Sequence, residues 1–285
     1  MAFLSFDDPE EPHPRRRRVR ELAGVPARRI LPNLVTLLAL CAGLTSIRMS
    51  IEQRFDAAVA AIALAALLDG IDGRVARFLR SSSRFGAELD SLTDFLNFGV
   101  APGILLFVWT LDEVRSLGWM VVLVFAICAA LRLARFNVAL DDPDRPEWHG
   151  NYFVGVPAPA GAITVLLPVY MEFVGTPHGF WTAPLVLVYT LAIALLMVSR
   201  LPTWSGKLIG RRVPRDIVLP IFVIGVVAVA LLVSYPWQTA TIATLAYLAS
   251  LPFSWSAFHR RSKAEAGKRM MEGGGVEGSA SGGLP

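Results

Sequence analysis

Cysteine and charge are what this sequence has least of. Its 285 residues include two cysteines, Cys41 and Cys128, each inside an apolar run, so neither a disulfide framework nor a cysteine-rich metal site is on offer. Only 18% of the residues are charged, against about a quarter in a soluble domain, which excludes an ordinary soluble protein and a disordered one. No internal repeat is visible. No cleavable signal peptide is expected either, because the first apolar run starts too late and is too long.

What is there is hydrophobic length. Hydrophobic residues make up 54% of the chain, and the mean hydropathy is +0.52. They gather in runs of about 18–25 residues, long enough to cross a bilayer as helices. Eight such segments lie near 30–51, 55–79, 88–111, 117–140, 157–175, 180–200, 216–235 and 237–257. The reading is an all-α, polytopic integral membrane protein with about eight transmembrane helices. Pro236, between Tyr235 and Trp237, breaks the last two into a tight hairpin, and its aromatic neighbours suit the bilayer interface.

Basic residues orient the chain. With the N-terminus in the cytoplasm, 24 of the 27 Lys and Arg residues fall on the cytoplasmic side, and only Arg48, Arg54 and Arg115 fall outside. One missed span would invert every later loop and destroy that asymmetry. Both termini are therefore expected in the cytoplasm. The same asymmetry explains the net charge of +4 and pI near 9.4 as a positive-inside signal, aided by anionic lipid, so no nucleic-acid partner is expected. The chain then divides into a basic juxtamembrane segment (1–29), with Arg15 to Ile30 along the interface, a transmembrane domain (30–259) and a glycine-rich flexible tail (260–285).

The second and third segments contain carboxylates. Asp69 and Asp72 are three residues apart and share a helical face, and Asp90 and Asp94, four apart, share one on the next helix. If residues 80–86 turn the chain back, the two pairs face each other. Four unpaired carboxylates near a helix centre would cost on the order of 10–14 kcal/mol on the insertion scale. Arg77 can pair with one of them, not with four. With no His or Cys nearby, oxygen-preferring divalent cations, Mg²⁺ or Mn²⁺, fit the site, and two such ions are a common clamp for phosphoryl transfer. Gly70, Gly73 and Gly86 let either a ligand or a neighbouring helix approach the backbone.

The stretch from Asp69 to Asp94 resembles the signature of the CDP-alcohol phosphotransferase family, D-x2-D-G-x2-A-R-x8-G-x3-D-x3-D. Asp69, Asp72, Gly73, Ala76, Arg77, Gly86, Asp90 and Asp94 fill every fixed position. The resemblance implies an integral membrane enzyme that moves a phosphatidyl-type group from a CDP-linked lipid to an alcohol and releases CMP. It implies that Asp69, Asp72 and Asp90, with Asp94 beside them at the metal site, hold a pair of metals, and that Asp94 serves as general base. It places Gly73, Ala76, Arg77, Ser83 and Gly86 against the nucleotide and its phosphates, and matches Asn33 and Thr36, at the start of the first helix, to a further nucleotide contact. It also implies a homodimer.

The signature alone leaves the acceptor open among choline, glycerol 3-phosphate, inositol phosphate and serine. Two further stretches, Arg132 to Asn137 and Phe153 to Ala160, resemble the bacterial phosphatidylserine synthase branch of the family. That likeness implies CDP-diacylglycerol and L-serine as substrates at the cytoplasmic face of the cell membrane. Arg132 or Arg135 would then bind the serine carboxylate, since a zwitterionic acceptor needs a cation that the acids do not supply. Basic residues at a cytoplasmic helix end also have a plain topological reading. A different class, a cation transporter using the Asp cluster, is opposed by acids crowded at one side and by the lack of a matching interrupted pair later in the chain.

Overall fold

The structure is a computed structural model, and it describes residues 27–79, 83–140, 152–199, 202–204 and 215–253. The N-terminal basic segment before residue 27, the loop around His149 and the tail lie outside them. Each long apolar run forms a helix, because in a hydrocarbon surrounding only a helix satisfies its own backbone within one segment. Helix α1 (Ala27–Ile51) and helix α2 (Phe55–Phe78) form a hairpin closed at Gln53, whose φ is +59°. Their contact is the most extensive in the bundle, with Ala39, Ala42, Ala58 and Ala65 buried; small side chains let helix backbones approach closely.

The third rod runs from Arg84 to Trp109. It consists of α3 (Arg84–Asp94), a π-helical segment (Phe95–Val100) and α4 (Ala101–Trp109). A 3-10 turn (Leu111–Val114) leads into α5 (Ser116–Leu140). Then follow α6 (Ala158–Val165), α7 (Leu167–Val174), α8 (Thr182–Val198), α9 (Arg215–Ser234) and α10 (236–253). Phe98, Leu105, Phe125, Val165, Ile193 and Met197 belong to the buried core. Among the described residues three of the rods, Leu31–Ile51, Arg84–Trp109 and Ser116–Ala139, are long and apolar enough to cross a membrane, and Ala158–Val174 (α6 with α7), Thr182–Val198 and Val218–Ser234 are shorter apolar stretches.

The helical fold is as expected, and one expectation changes. The segment 157–175 is not one helix but two, broken at Leu166. Pro168 is the cause: it has no N–H and its ring clashes with the carbonyl four residues back. The loosened carbonyls find other donors. Tyr189 Oη donates to the Thr164 carbonyl at 2.7 Å, and Tyr170 Oη to the Ile163 carbonyl at 3.0 Å. The architecture also includes a small antiparallel ribbon, β1 (Tyr152–Val154) with β2 (Pro202–Trp204), in which Phe153 faces Thr203. It joins the start of α6 to the end of α8.

Asn137 Nδ2, at the end of α5, donates to Ser91 Oγ of α3 at 2.8 Å. The ribbon, the end of α5 and the acids therefore lie at one end of the bundle. At the opposite end, roughly 28 Å along the third rod from Asp90 by helix rise, His178 links three elements. Its Nδ1 lies 2.9 Å from Glu172 Oε2 and its Nε2 3.4 Å from Glu113 Oε1, with Trp109 edge-on at 5.4 Å. Glu172 is thus paired. An apolar cavity of about 560 Å³ lies beside this clamp, lined by Trp109, Met171, Trp181 and Tyr189 among others.

A neutral imidazole has one N–H and serves one carboxylate; the imidazolium serves both. The hydrogen bond to Glu172 chiefly, and Glu113 after it, holds the His178 pKa above the ordinary 6.5. The clamp's contribution to stability is then complete below that ordinary value and fades as pH rises through the raised one. Thermal unfolding of the detergent-solubilised chain should show wild type losing stability on passing from acid to alkaline pH more steeply than His178→Gln. Identical pH slopes in the two proteins would refute the clamp.

Candidate functional site

The last turns of α2 carry Asp69 and Asp72, and α3 carries Asp90 and Asp94. Asp69, Asp72 and Asp90 each present a carboxylate oxygen, and the three oxygens lie within 4.8 Å of one another. Asp72 is only 4% exposed, and the other three are half-buried. Asp94 is not one of those three; its carboxyl group lies against that of Asp69, and its Oδ1 is buried without a hydrogen-bond partner. Among the described residues no basic side chain forms an ion pair with any of the four. Converging carboxylate oxygens with no protein cation, and with no nitrogen or sulfur donor among them, suit Mg²⁺ or Mn²⁺.

A second group forms at the start of α3. Ser83 caps that helix, its Oγ accepting from Gly86 N at 3.0 Å. Asn33 of α1 reaches the same spot: a Cβ on Gly86 would sit 2.9 Å from Asn33 Oδ1 and 3.2 Å from Ser83 Oγ. Asn33, some fifty residues earlier in the chain, thus joins Ser83 and Gly86 at a helix N-terminus, whose free N–H groups and positive dipole end favour phosphate. Gly70 and Gly73 behave differently. Among the described residues a Cβ on either would meet no atom within 4 Å, so neither glycine serves a close helix approach there and both leave open space beside the acids. Arg77 is exposed, with Nε donating to the Gly73 carbonyl of its own helix at 2.9 Å. Ala76 lies between them on α2, its side chain outside the description.

Thr36 differs from expectation. Its Oγ1 lies 2.8 Å from Asp72 Oδ2 and 3.1 Å from the Pro32 carbonyl, a shared donation from one hydroxyl. It is one turn deeper along α1 than Asn33, level with the acids. Local sequence cannot show this, because the rotation of α1 about its axis is set by its contact with α2.

Arg132 and Arg135 stand at the acid-bearing end with their side chains on neighbouring backbone. Arg132 is 5% exposed, donates from Nε to the Val156 carbonyl at 3.2 Å, and lies 5.7 Å over the Phe136 ring. Arg135 Nη1 donates to the Val198 carbonyl at 2.7 Å. Each therefore ties α5 to the start of α6 or the end of α8. The bond from Asn137 to Ser91 was not anticipated; the adjacency of Ser91 to Asp90 was its only sequence signal.

Comparison with known proteins agrees with this arrangement. Residues 29–198 match the CDP-alcohol phosphatidyltransferase family, and residues 216–252 match a second family description, CDP-alcohol phosphatidyltransferase 2. The CDP-diacylglycerol–serine O-phosphatidyltransferase of Mycobacterium leprae is 41% identical over 86% of this chain and 81% of its own length. The protein of that name from Helicobacter pylori is 34% identical over 60% of this chain and 70% of its own. An archaetidylserine synthase of Methanothermobacter thermautotrophicus is 34% identical over 59% of this chain and 67% of its own. With acids, glycines and helix start in one place and the match extending over most of the bundle, the chain belongs to the CDP-alcohol phosphatidyltransferase family.

Proposed function

We propose that this chain transfers the phosphatidyl group of CDP-diacylglycerol to the hydroxyl of L-serine, giving phosphatidylserine and CMP. The observation that carries this reading is the convergence of Asp69, Asp72 and Asp90 beside the uncovered backbone of Gly70 and Gly73, in a chain about 40% identical to serine O-phosphatidyltransferases over most of its length. Asp69, Asp72 and Asp90, with Asp94 beside them, would hold a pair of divalent cations, Mn²⁺ or Mg²⁺, which would supply charge neutralisation for the pyrophosphate and the departing CMP. Gly73 leaves room for the nucleotide, and Arg77 offers a two-pronged guanidinium to a phosphate. Ser83, Gly86 and Asn33 form a phosphate-receiving helix start.

Asp94 takes the serine hydroxyl proton as the new P–O bond forms and the bond to CMP breaks. Its position outside the three-oxygen group and its unpartnered Oδ1 support that part. Thr36 orients Asp72. Arg132 or Arg135 receives the serine carboxylate, a role supported by their place at the acid end. The acyl chains suit an apolar cavity of about 570 Å³ between α2, α6 and α10, lined by Val59, Ile62, Ile163, Leu232, Trp237 and Tyr247 among others. The basic-residue asymmetry supports eight spans with the acid end and both termini in the cytoplasm. The domain we infer, 30–259, takes in nearly all of both family matches, and the homodimer rests on the family resemblance.

The deciding experiment is CMP release by the purified full chain, given CDP-diacylglycerol, Mn²⁺ or Mg²⁺, and one acceptor at a time. L-serine alone should support release, and Asp94→Asn should lower kcat by about 10²–10⁴-fold. Release with choline, glycerol 3-phosphate, inositol or inositol phosphate instead would discard serine and keep the chemistry; no release with any alcohol would return the acids to the transporter reading. Gly73→Val should fold, since its side chain meets no neighbour, yet lose turnover; full activity would mean that nothing binds there. Thr36→Val should weaken metal activation about 10–100-fold, the usual range for a group that orients a ligand. An unchanged metal requirement would remove Thr36 from the site.

A further inference from the structure

Helix α1 grips both acid-bearing helices with one face. Thr36 meets Asp72 of α2. One turn further on, the Ala39 carbonyl accepts Nδ2 of Asn97 at 3.1 Å. A turn beyond that, Gly43 leaves a slot: a Cβ there would collide with Asn97 Oδ1 and lie 2.9 Å from Leu96 Cδ2. The Asn97 amide thus rests on the bare backbone of α1. Asn97 is fully buried, and its Oδ1 has no hydrogen-bond partner. A half-satisfied amide in the middle of an apolar rod costs stability that an apolar side chain of the same size would not. Packing does not explain its presence.

Its place in the chain does. Asn97 lies three residues after Asp94 and seven after Asp90, on the helical face those acids share. It sits in the π segment that begins directly after Asp94. Such a segment changes the rotation of everything beyond it, and these segments gather at functional sites. A side chain that fixes this segment on α1 therefore fixes the rotation and height of α3 as well.

We propose that Asn97 is a positioning residue for the acid cluster: hooked on the Ala39 carbonyl in the slot at Gly43, it registers Asp90 and Asp94 against Asp69 and Asp72. Helix α1 is then the common strut, holding α2 through Thr36 and the third rod through Asn97. This rests on the reading of the acids as a divalent-cation site.

The test uses the purified full chain, with Mn²⁺ as probe and two readouts: the Mn²⁺ dissociation constant from paramagnetic resonance of the free ion, and the Mn²⁺ concentration for half-maximal CMP release. Asn97→Asp keeps the shape and replaces the donor by an oxygen facing the carbonyl; Asn97→Leu removes all polarity. Both should raise the two Mn²⁺ constants about tenfold while the serine KM stays within about twofold. If a single variant does not fold, Gly43→Ala with Asn97→Ala gives the new Cβ the space of the lost amide, and the same rise is expected. A residue that serves packing alone lowers the active fraction and hence the apparent kcat, leaving the Mn²⁺ constants unchanged. Wild-type Mn²⁺ constants in folded Asn97→Leu or in the double variant would therefore overturn the proposal. Wild-type protein that binds no Mn²⁺ and releases CMP after metal removal would overturn it too, by removing the cation site itself.

Discussion

The mutual repulsion of four carboxylates at one end of an apolar bundle is the constraint on which the rest of this structure depends. Carboxylates held within a few ångströms in a poorly screened place repel by several kcal/mol per pair even at an effective dielectric of about 20. Among the described residues no basic side chain pairs with them. The bundle meets this demand geometrically. Two helices bring the acids together, a third braces both, and the backbone beside them is left uncovered at two glycines. A divalent cation and a phosphate ester are what the proposed function would bring to this arrangement, and the relatives of similar sequence are named for CDP-diacylglycerol as donor.

The same end shows how polar groups are rationed. Thr36, Asn97, Asn137 and Ser91 each make an inter-helical contact, and each lies on or beside a helix carrying the acids. Arg132 and Arg135 tie α5 to the ends of α6 and α8 through backbone carbonyls. Elsewhere, apart from the His178 clamp and the two tyrosine bonds at the Leu166 break, the bundle relies on alanine-lined helix contact and a large apolar core. Hydrogen bonds between helices in an apolar surrounding are modest individually, so their value here is angular: each removes a rotation that would spoil the meeting of four side chains.

Much of this was legible in the sequence, for physical reasons. Helix ranges follow from apolar length, and the observed rods fall within a few residues of the expected segments. The acid pairs follow from helical spacing. The convergence of Asn33 with Ser83 and Gly86 was legible only through family resemblance, since more than fifty residues of chain separate Asn33 from Gly86. Pro168 was a local signal for the break in 157–175 that the apolar run concealed. The contacts of Thr36 and Asn97 were not legible, because both depend on how far α1 is turned about its axis, and packing decides that. Glu172 reaches His178 across a loop whose path no periodicity encodes.

The break at Leu166 has a mechanical consequence. A continuous helix transmits a twist along its length; one interrupted at a proline, with its loosened carbonyls held by tyrosine hydroxyls, does not. Helix α6 is anchored beside the arginines and the ribbon, whereas α7 is anchored by Glu172 to His178. The rod between them is therefore jointed, and its joint lies between the two ends of the molecule. A tilt of α6 at the acid end is therefore not obliged to carry α7 with it, and the His178 clamp at the other end can hold while the acid end adjusts.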